Sequence, residues 1–177
     1  GVAPVPVIGG TITATFNSQV TRSGSIQVPK SIVDSGLLSP VTDKVVIFTG
    51  IPGIIELPIF TGRVVSQSQD DGQSVTCQLA DTSRDIVGAR FEQPWRPVAG
   101  ATASSEMERM VPDVSGEIAI DVSQTPEIVN PYVVWEEDRG KALDDLASAM
   151  SCIWQGGRFG GLVCYPNPYS TTSEAPP

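Results

Sequence analysis

The chain predicts a mainly β protein with minor α: a β-barrel- or sandwich-like domain followed by a small α+β subdomain made of a helix and a hairpin. Three observations lead there. Short runs rich in Val, Ile, Thr and Ser, separated by turn residues, fill the chain as far as Ala89. Closely spaced strands with turn signals between them mark a barrel or sandwich. One later segment, Arg139 to Met150, carries an apolar stripe at helical spacing. Between these regions, 93–116 is rich in Pro, Ala, Ser and Gly. The expected division is 1–92 as a β-barrel-like domain, 93–116 as a linker or loop, 117–169 as the α+β subdomain and 170–177 as a flexible tail. The 177 residues suit one domain or two small ones, and they bury a core without needing disulfides or metal.

The elements follow in order. Residues 1–8 alternate Val with Ala and Pro and read as an extended arm. Ile12, Ala14 and Phe16 alternate with polar positions, the pattern of a half-buried strand over 11–16. A second strand over 19–28 uses Val20, Ile26 and Val28 and stops at Pro29, because proline has no N–H for a ladder. Residues 31–40 form a loop with one helical turn. The continuous run Val45-Val46-Ile47-Phe48 predicts a strand over 44–49 buried on both faces. A turn at Gly50–Gly53 leads to a long strand, 55–68, expected to bend at Pro58 or Gly62. Asp70-Asp71-Gly72 has hairpin composition. The returning strand, 74–80, sets Val75, Cys77 and Leu79 on one face. Asp81 then reads as the N-cap of a short helix, its carboxylate accepting from the free amides of the first turn. Gly88 closes that helix.

The stretch 93–116 includes one helical turn at Glu106–Met110; loops of such length are functional or mobile. An alternating strand covers 117–122, and Tyr132–Trp135 is a short apolar segment. Asp138 caps the strongest helix, 139–150, with Ala142, Leu143, Leu146, Ala147 and Met150 on one stripe. Glu136, Glu137 and Asp138 sit at the positive end of its dipole. Ile153 and Trp154 pair with Leu162–Tyr165 across the Gly-Gly-Arg-Phe-Gly-Gly turn.

The chemistry is notable for what it omits. There is no histidine, which removes Ser-His-Asp and Cys-His constellations. No glycine-rich phosphate loop follows a strand. The chain is therefore not expected to be an enzyme, and no catalytic, cofactor-binding or metal residue is assigned. Asp81 as a catalytic acid is weighed against a cap, and the cap is preferred. Asp70, Asp71, Asp85 and Asp138 are carboxylates of the kind a paired-carboxylate hydrolase uses, but turn and cap roles account for each. Glu136, Glu137 and Asp138 as a cation site lack the spacing of a calcium loop. Trp95, Trp135 and Trp154 as a sugar-stacking platform are set against core or interface anchors, the preferred reading. Cys77, Cys152 and Cys164 are an odd number without C-x-x-C spacing, and zinc without histidine lacks its usual ligands. Cys152 and Cys164 flank the glycine-rich turn and face each other across it, either bridged or as buried thiols, the latter preferred in a cytosol-made protein.

The net charge of −9 disfavours non-specific nucleic-acid binding and anionic lipid surfaces, and solubility is its simplest account. No stretch approaches the apolar length of a transmembrane helix, and the N-terminus lacks the basic region of a signal peptide. The start at Gly1 and the linker-like ending Ser173–Pro177 read as a piece of a longer protein.

Three places together resemble the tail-hub, or baseplate-hub, proteins of tailed bacteriophages, in particular a family of tail proteins from phages of actinobacteria. One is the pair GTITATFNSQVTRSGSIQV, Gly10–Val28; another is FTGRVVSQSQDDGQSVTCQLADTSRDI, Phe60–Ile86. The last is RGKALDDLASAM with the hairpin ending in CYPNP, Arg139–Pro168. The resemblance implies a structural, minor tail protein of the virion, assembled in the host cytoplasm. It implies barrel-like β domains and a homo-oligomeric ring, a trimer favoured, that joins the tail tube to the tip. The implied partners are further copies and other tail proteins, either distal tail or tube proteins or tip proteins, with no specific nucleic-acid binding and no membrane insertion. Members of the family are longer than this chain. The competing reading is a carbohydrate-binding or adhesin-type β module for host surface recognition, which would use the tryptophans.

Overall fold

A computed structural model of the chain describes residues 4–15, 19–39, 44–51, 54–69, 72–111, 118–120 and 128–168. The fold is mainly β with a small α+β part, as the sequence predicts. Two compact units divide the chain. One comprises Gly1–Arg84 with Gly156–Gly160, the other Asp85–Gln155 with Gly161–Pro177.

The first unit is a curled five-stranded antiparallel sheet of β1 (Gly9–Ala14), β2 (Arg22–Pro29), β3 (Lys44–Ile51), β4 (Ile55–Gln69) and β5 (Ser74–Asp81), with a short helix α1 (Lys30–Asp34) after β2. The strand order is β1-β2-β5-β4-β3. The central strand β5 alternates as expected: Val75, Cys77 and Leu79 point into a core with Ile26, Val28, Leu38, Phe60 and Val64. Period-two alternation puts one set of side chains on one face, so this strand's inner face is legible from its sequence. Gly62 is required here. A Cβ on it would lie 2.1 Å from the Ala80 carbonyl oxygen and 2.6 Å from the Phe60 ring, which packs over it.

β3 departs from expectation. The run Val45–Phe48 is not buried on both faces: among the described residues β3 is an edge strand, paired with β4 alone. Val45 and Ile47 turn to the core, whereas Val46 and Phe48 are exposed. A continuous apolar run states that both faces are apolar, and it carries no information on which strands lie alongside. The expected irregularity in β4 falls beside Pro58. Ile47 pairs with Phe60 and Phe48 with Pro58, which leaves Ile59 as the extra residue of a bulge. β4 also outruns β5. Its pairing with β5 begins at Gly62 opposite Asp81, so among the described residues the stretch before it pairs with β3 alone. The end of the β3–β4 hairpin is thus a two-stranded arm. Pro29 ends β2 as expected, and Lys30 begins α1 directly after it. Phe16, Asp70 and Asp71 lie outside the described residues.

Asp81 needs a correction. It is the last residue of β5, and helix α2 (Ser83–Gly88) begins two residues later, so Asp81 is not an N-cap. Its carboxylate still reaches the first helical amide, that of Ser83. The carboxylate accepts as the sequence predicts but sits one residue before the cap position, because a strand end and a cap use the same short polar side chain.

The second unit holds α3 (Ala103–Met110), α4 (Arg139–Ala149) and a three-stranded sheet of β6 (Ile118–Ile120), β8 (Leu162–Pro166) and β7 (Cys152–Gly156), in the order β6-β8-β7. β6 runs parallel to β8. Helix α4 matches the predicted segment. Asp138 caps it, accepting from the Lys141 amide at 2.9 Å, and all five stripe residues are buried. They pack with Cys152, Trp154, Leu162 and Cys164 of the terminal hairpin. Where one helical turn was expected, α3 is a full eight-residue helix with Met107 and Met110 in the core. It is closed by a capping box in which Thr102 and Ser105 exchange side-chain-to-backbone bonds. Serine in place of the usual Glu or Gln at the third position hides that start from pattern reading. The predicted strand 117–122 is seen as Ile118–Ile120, and 170–177 lies outside the described residues.

Candidate functional site

The sequence-weighed residues separate into two buried polar arrangements, one in each unit. In the first, Asp81 is 2% exposed. One carboxylate oxygen accepts from the Arg22 amide at 2.7 Å, and the other accepts from the Ser83 amide at 3.1 Å and the Ser83 hydroxyl. The Arg22 guanidinium donates to the Gly156 carbonyl at 2.5 Å, and the Thr61 hydroxyl donates to the Arg158 carbonyl at 2.6 Å. Gly156 is the residue that permits this closeness: a Cβ there would stand 2.8 Å from the Asp81 carboxylate. Burial pushes the Asp81 carboxyl above its ordinary value, while the donors on Ser83 and Arg22 pull it back. A carboxylate so enclosed offers no open face to a substrate. It ties the start of β2 to the end of β5 and the first turn of α2, while the Arg22 and Thr61 side chains hold the 156–160 turn.

In the second unit the three tryptophans do not form a stacking platform. Trp135 and Trp154 are buried, and Trp95 is half-buried. Each indole N–H donates to a carboxylate of α3 or α4: Trp95 to Glu106 at 3.1 Å, Trp135 to Asp145 at 2.9 Å and Trp154 to Asp144 at 2.7 Å. Trp95 and Trp135 are bridged through their backbones, and Trp95 stacks on Phe91 with ring centroids 5.3 Å apart. The Arg109 guanidinium lies over the Trp95 ring. Glu106 is fully buried and also accepts from the Val98 amide at 2.9 Å and from Arg109. A buried indole needs an acceptor for its N–H, and α3 supplies one and α4 two. The tryptophans are therefore core anchors, the preferred sequence reading. The buried role of Glu106 has no sequence signal, because its Val98 and Trp95 donors lie eight and eleven residues away, outside any helical or strand period.

The remaining candidates are dispersed. Glu137 pairs with Arg90 at 2.7 Å on the surface, and Asp138 is occupied as a cap. Among the described residues no group of three or more His, Cys, Asp or Glu side chains is placed to hold a metal ion. Cys77, Cys152 and Cys164 are buried thiols outside any disulfide. Burial, with Cys152 beside it, pushes the Cys164 thiol up to about 12, which leaves it unreactive at neutral pH. No helix among the described residues is long and apolar enough to cross a membrane.

The most distinctive surface is apolar. On the β3–β4 arm, Val46, Phe48, Ile51, Ile54, Ile55, Leu57 and Ile59 are between 39% and 72% exposed. Scattered exposed apolar residues are ordinary, whereas seven along one two-stranded arm mark a candidate interaction surface.

No protein-family model matches the chain, and no curated protein matches it in sequence. Solved structures do match in fold. The crystal structure of the prophage MuSo2 43 kDa tail protein from Shewanella oneidensis superposes with a TM-score of 0.59 at 14% identity, over 89% of this chain and 50% of that one. The tail protein from Neisseria meningitidis MC58 gives a TM-score of 0.59 at 14% identity, over 92% of this chain and 46% of that one. The chain thus spans about half the length of these two proteins, and over that half it has their fold.

Proposed function

We propose that this chain is a structural component of a bacteriophage tail tip: a hub subunit, in a homotrimeric ring, that joins the tail tube to the tip. The observation that carries the reading is the fold shared with two tail proteins over nearly the whole of this chain. In this reading the protein acts through contacts with further copies and with other tail proteins, of the tube or distal tail and of the tip, and performs no catalysis. It is assembled in the host cytoplasm and ends in the virion tail. Its net charge of −9 gives the ring an acidic lumen, which keeps passing DNA phosphates from adhering. Ring closure also covers sheet edges that a β domain otherwise leaves open.

A reconstruction of the tail tip tests this. The expected result is a closed ring of this chain at the end of the tube, with carboxylates on the inner wall. A peripheral position on the outside of the particle, or a neutral or basic lumen, overturns it. The carbohydrate-binding alternative loses its main support, because the Trp135 and Trp154 rings are buried and the Trp95 ring packs against Arg109 and Phe91.

A further inference from the structure

We infer that the β3–β4 arm is the surface by which one copy of this chain engages a second copy. The inference deepens the ring reading above and rests on it. Two strands alone are marginal in water; a third strand or a packed layer is needed to hold them. Among the described residues, β4 from Ile55 to Ile59 lies in the ladder beside β3 alone, before Phe60 and Thr61 enter the buried part of the unit. Cross-strand partners share a face, so Ile51 with Ile55 and Thr49 with Leu57 make one apolar side of the arm. Val46 and Phe48 lie on the opposite side, by alternation along β3. Both faces of the arm therefore carry exposed apolar groups. The seven side chains leave on the order of 500 Å² of apolar surface to water, divided between the two faces, against the ~800 Å² one partner gives to a stable interface.

Charge and topology select the occupant. Between Val45 and Gly62 the only charged residue is Glu56, in a chain of net charge −9. Two copies of so acidic a protein meet with least repulsion along an uncharged surface. A basic partner would be drawn to the acidic surface elsewhere instead. The open sheet also has two edges, β3 on the arm and β1 on the far side. Each edge presents backbone donors and acceptors that the other satisfies. A chain that carries both edges can pair head to tail with itself, and such heterologous contacts close into rings.

The test uses the whole chain and a double variant, Phe48→Ser with Leu57→Ser. Both residues are exposed, so thermal unfolding of the variant should match the wild type, confirming that it folds. Analytical ultracentrifugation should show the wild type associating with concentration and the variant associating about tenfold or more weakly. Val98→Ser, a change at an exposed apolar residue of the second unit, should leave association unchanged. Hydrogen exchange at the β3 amides should slow as the wild type associates. A wild type that stays monomeric at every concentration, a double variant that associates like the wild type, or a different protein seated on the arm in the tail overturns the inference. A ring in the virion that survives the double variant overturns the arm and spares the hub. Self-association through the arm by a chain absent from tails does the reverse.

Discussion

Two segments that carry apolar side chains meet opposite fates. Val45–Phe48 forms an edge strand with Val46 and Phe48 in water, while the stripe from Ala142 to Met150 is buried throughout. The difference lies in what each pattern encodes. Helical spacing names one face, and a helix with one apolar face has to bury it. An unbroken strand run names no face and no neighbour, and sheet order is decided by residues far away in the chain. The lesson is that apolar content predicts burial only when it comes with a periodicity that tertiary structure can read.

The largest expected effect lies on the buried side of that comparison. Leu146 is 2% exposed, and Leu146→Ala should cost about 2–5 kcal/mol in chemical denaturation. A loss of a few tenths would show the stripe to be no more buried than the β3 run. Glu106→Gln comes next. It removes the charge that Arg109 meets and turns an amide toward the Trp95 and Val98 donors, so about 1–3 kcal/mol is expected, with a shift in tryptophan fluorescence. No change in either would mean that the indole contacts contribute little.

At Asp81 the readout is a slope. Its folded value is raised, so the folded state holds the proton more tightly than the unfolded state, whose value is near the ordinary 3.8. The stability this gives is present at low pH and lost as pH rises from about 3.8 through the raised folded value. Asp81→Asn should remove this component, seen as a wild-type-minus-variant difference in melting temperature that falls across that window. A flat difference would show the carboxylate to be as well solvated in the fold as out of it. Asp138→Ala should cost about 1 kcal/mol, the usual worth of a helix cap. The smallest effect belongs to Phe48→Ser, within about 0.5 kcal/mol for the monomer. A larger loss there would place Phe48 in the core and erase the contrast.

What was legible in the sequence was local. The α4 stripe, the Asp138 cap, the inner face of β5 and the terminal hairpin each depend on residues a few positions apart. The mainly β character was legible for the same reason. The edge position of β3, the helix at Ala103–Met110 and the exact place of Asp81 were not. The first depends on strand order, the second on a serine completing a capping box, and the third on where a ladder to β2 and β4 stops. Trp95–Glu106, Trp135–Asp145 and Trp154–Asp144 had no signal at all, because packing alone chose those partners. The apolar arm was present in the sequence as VVIF and IIELPI, and its exposure was what could not be read.

The membership of Gly156–Gly160 in the first unit has a consequence for synthesis. A nascent chain emerges from its N-terminus, so β1 to β5 leave the ribosome long before those five residues. Until they arrive, the Arg22 guanidinium lacks the Gly156 carbonyl and the Thr61 hydroxyl lacks that of Arg158. The sheet reaches its final hydrogen bonding only after all of Asp85–Gln155 has been made. A stall or a premature stop within α4 therefore damages the N-terminal unit as well as the one being translated, and no early checkpoint can certify the first half as finished.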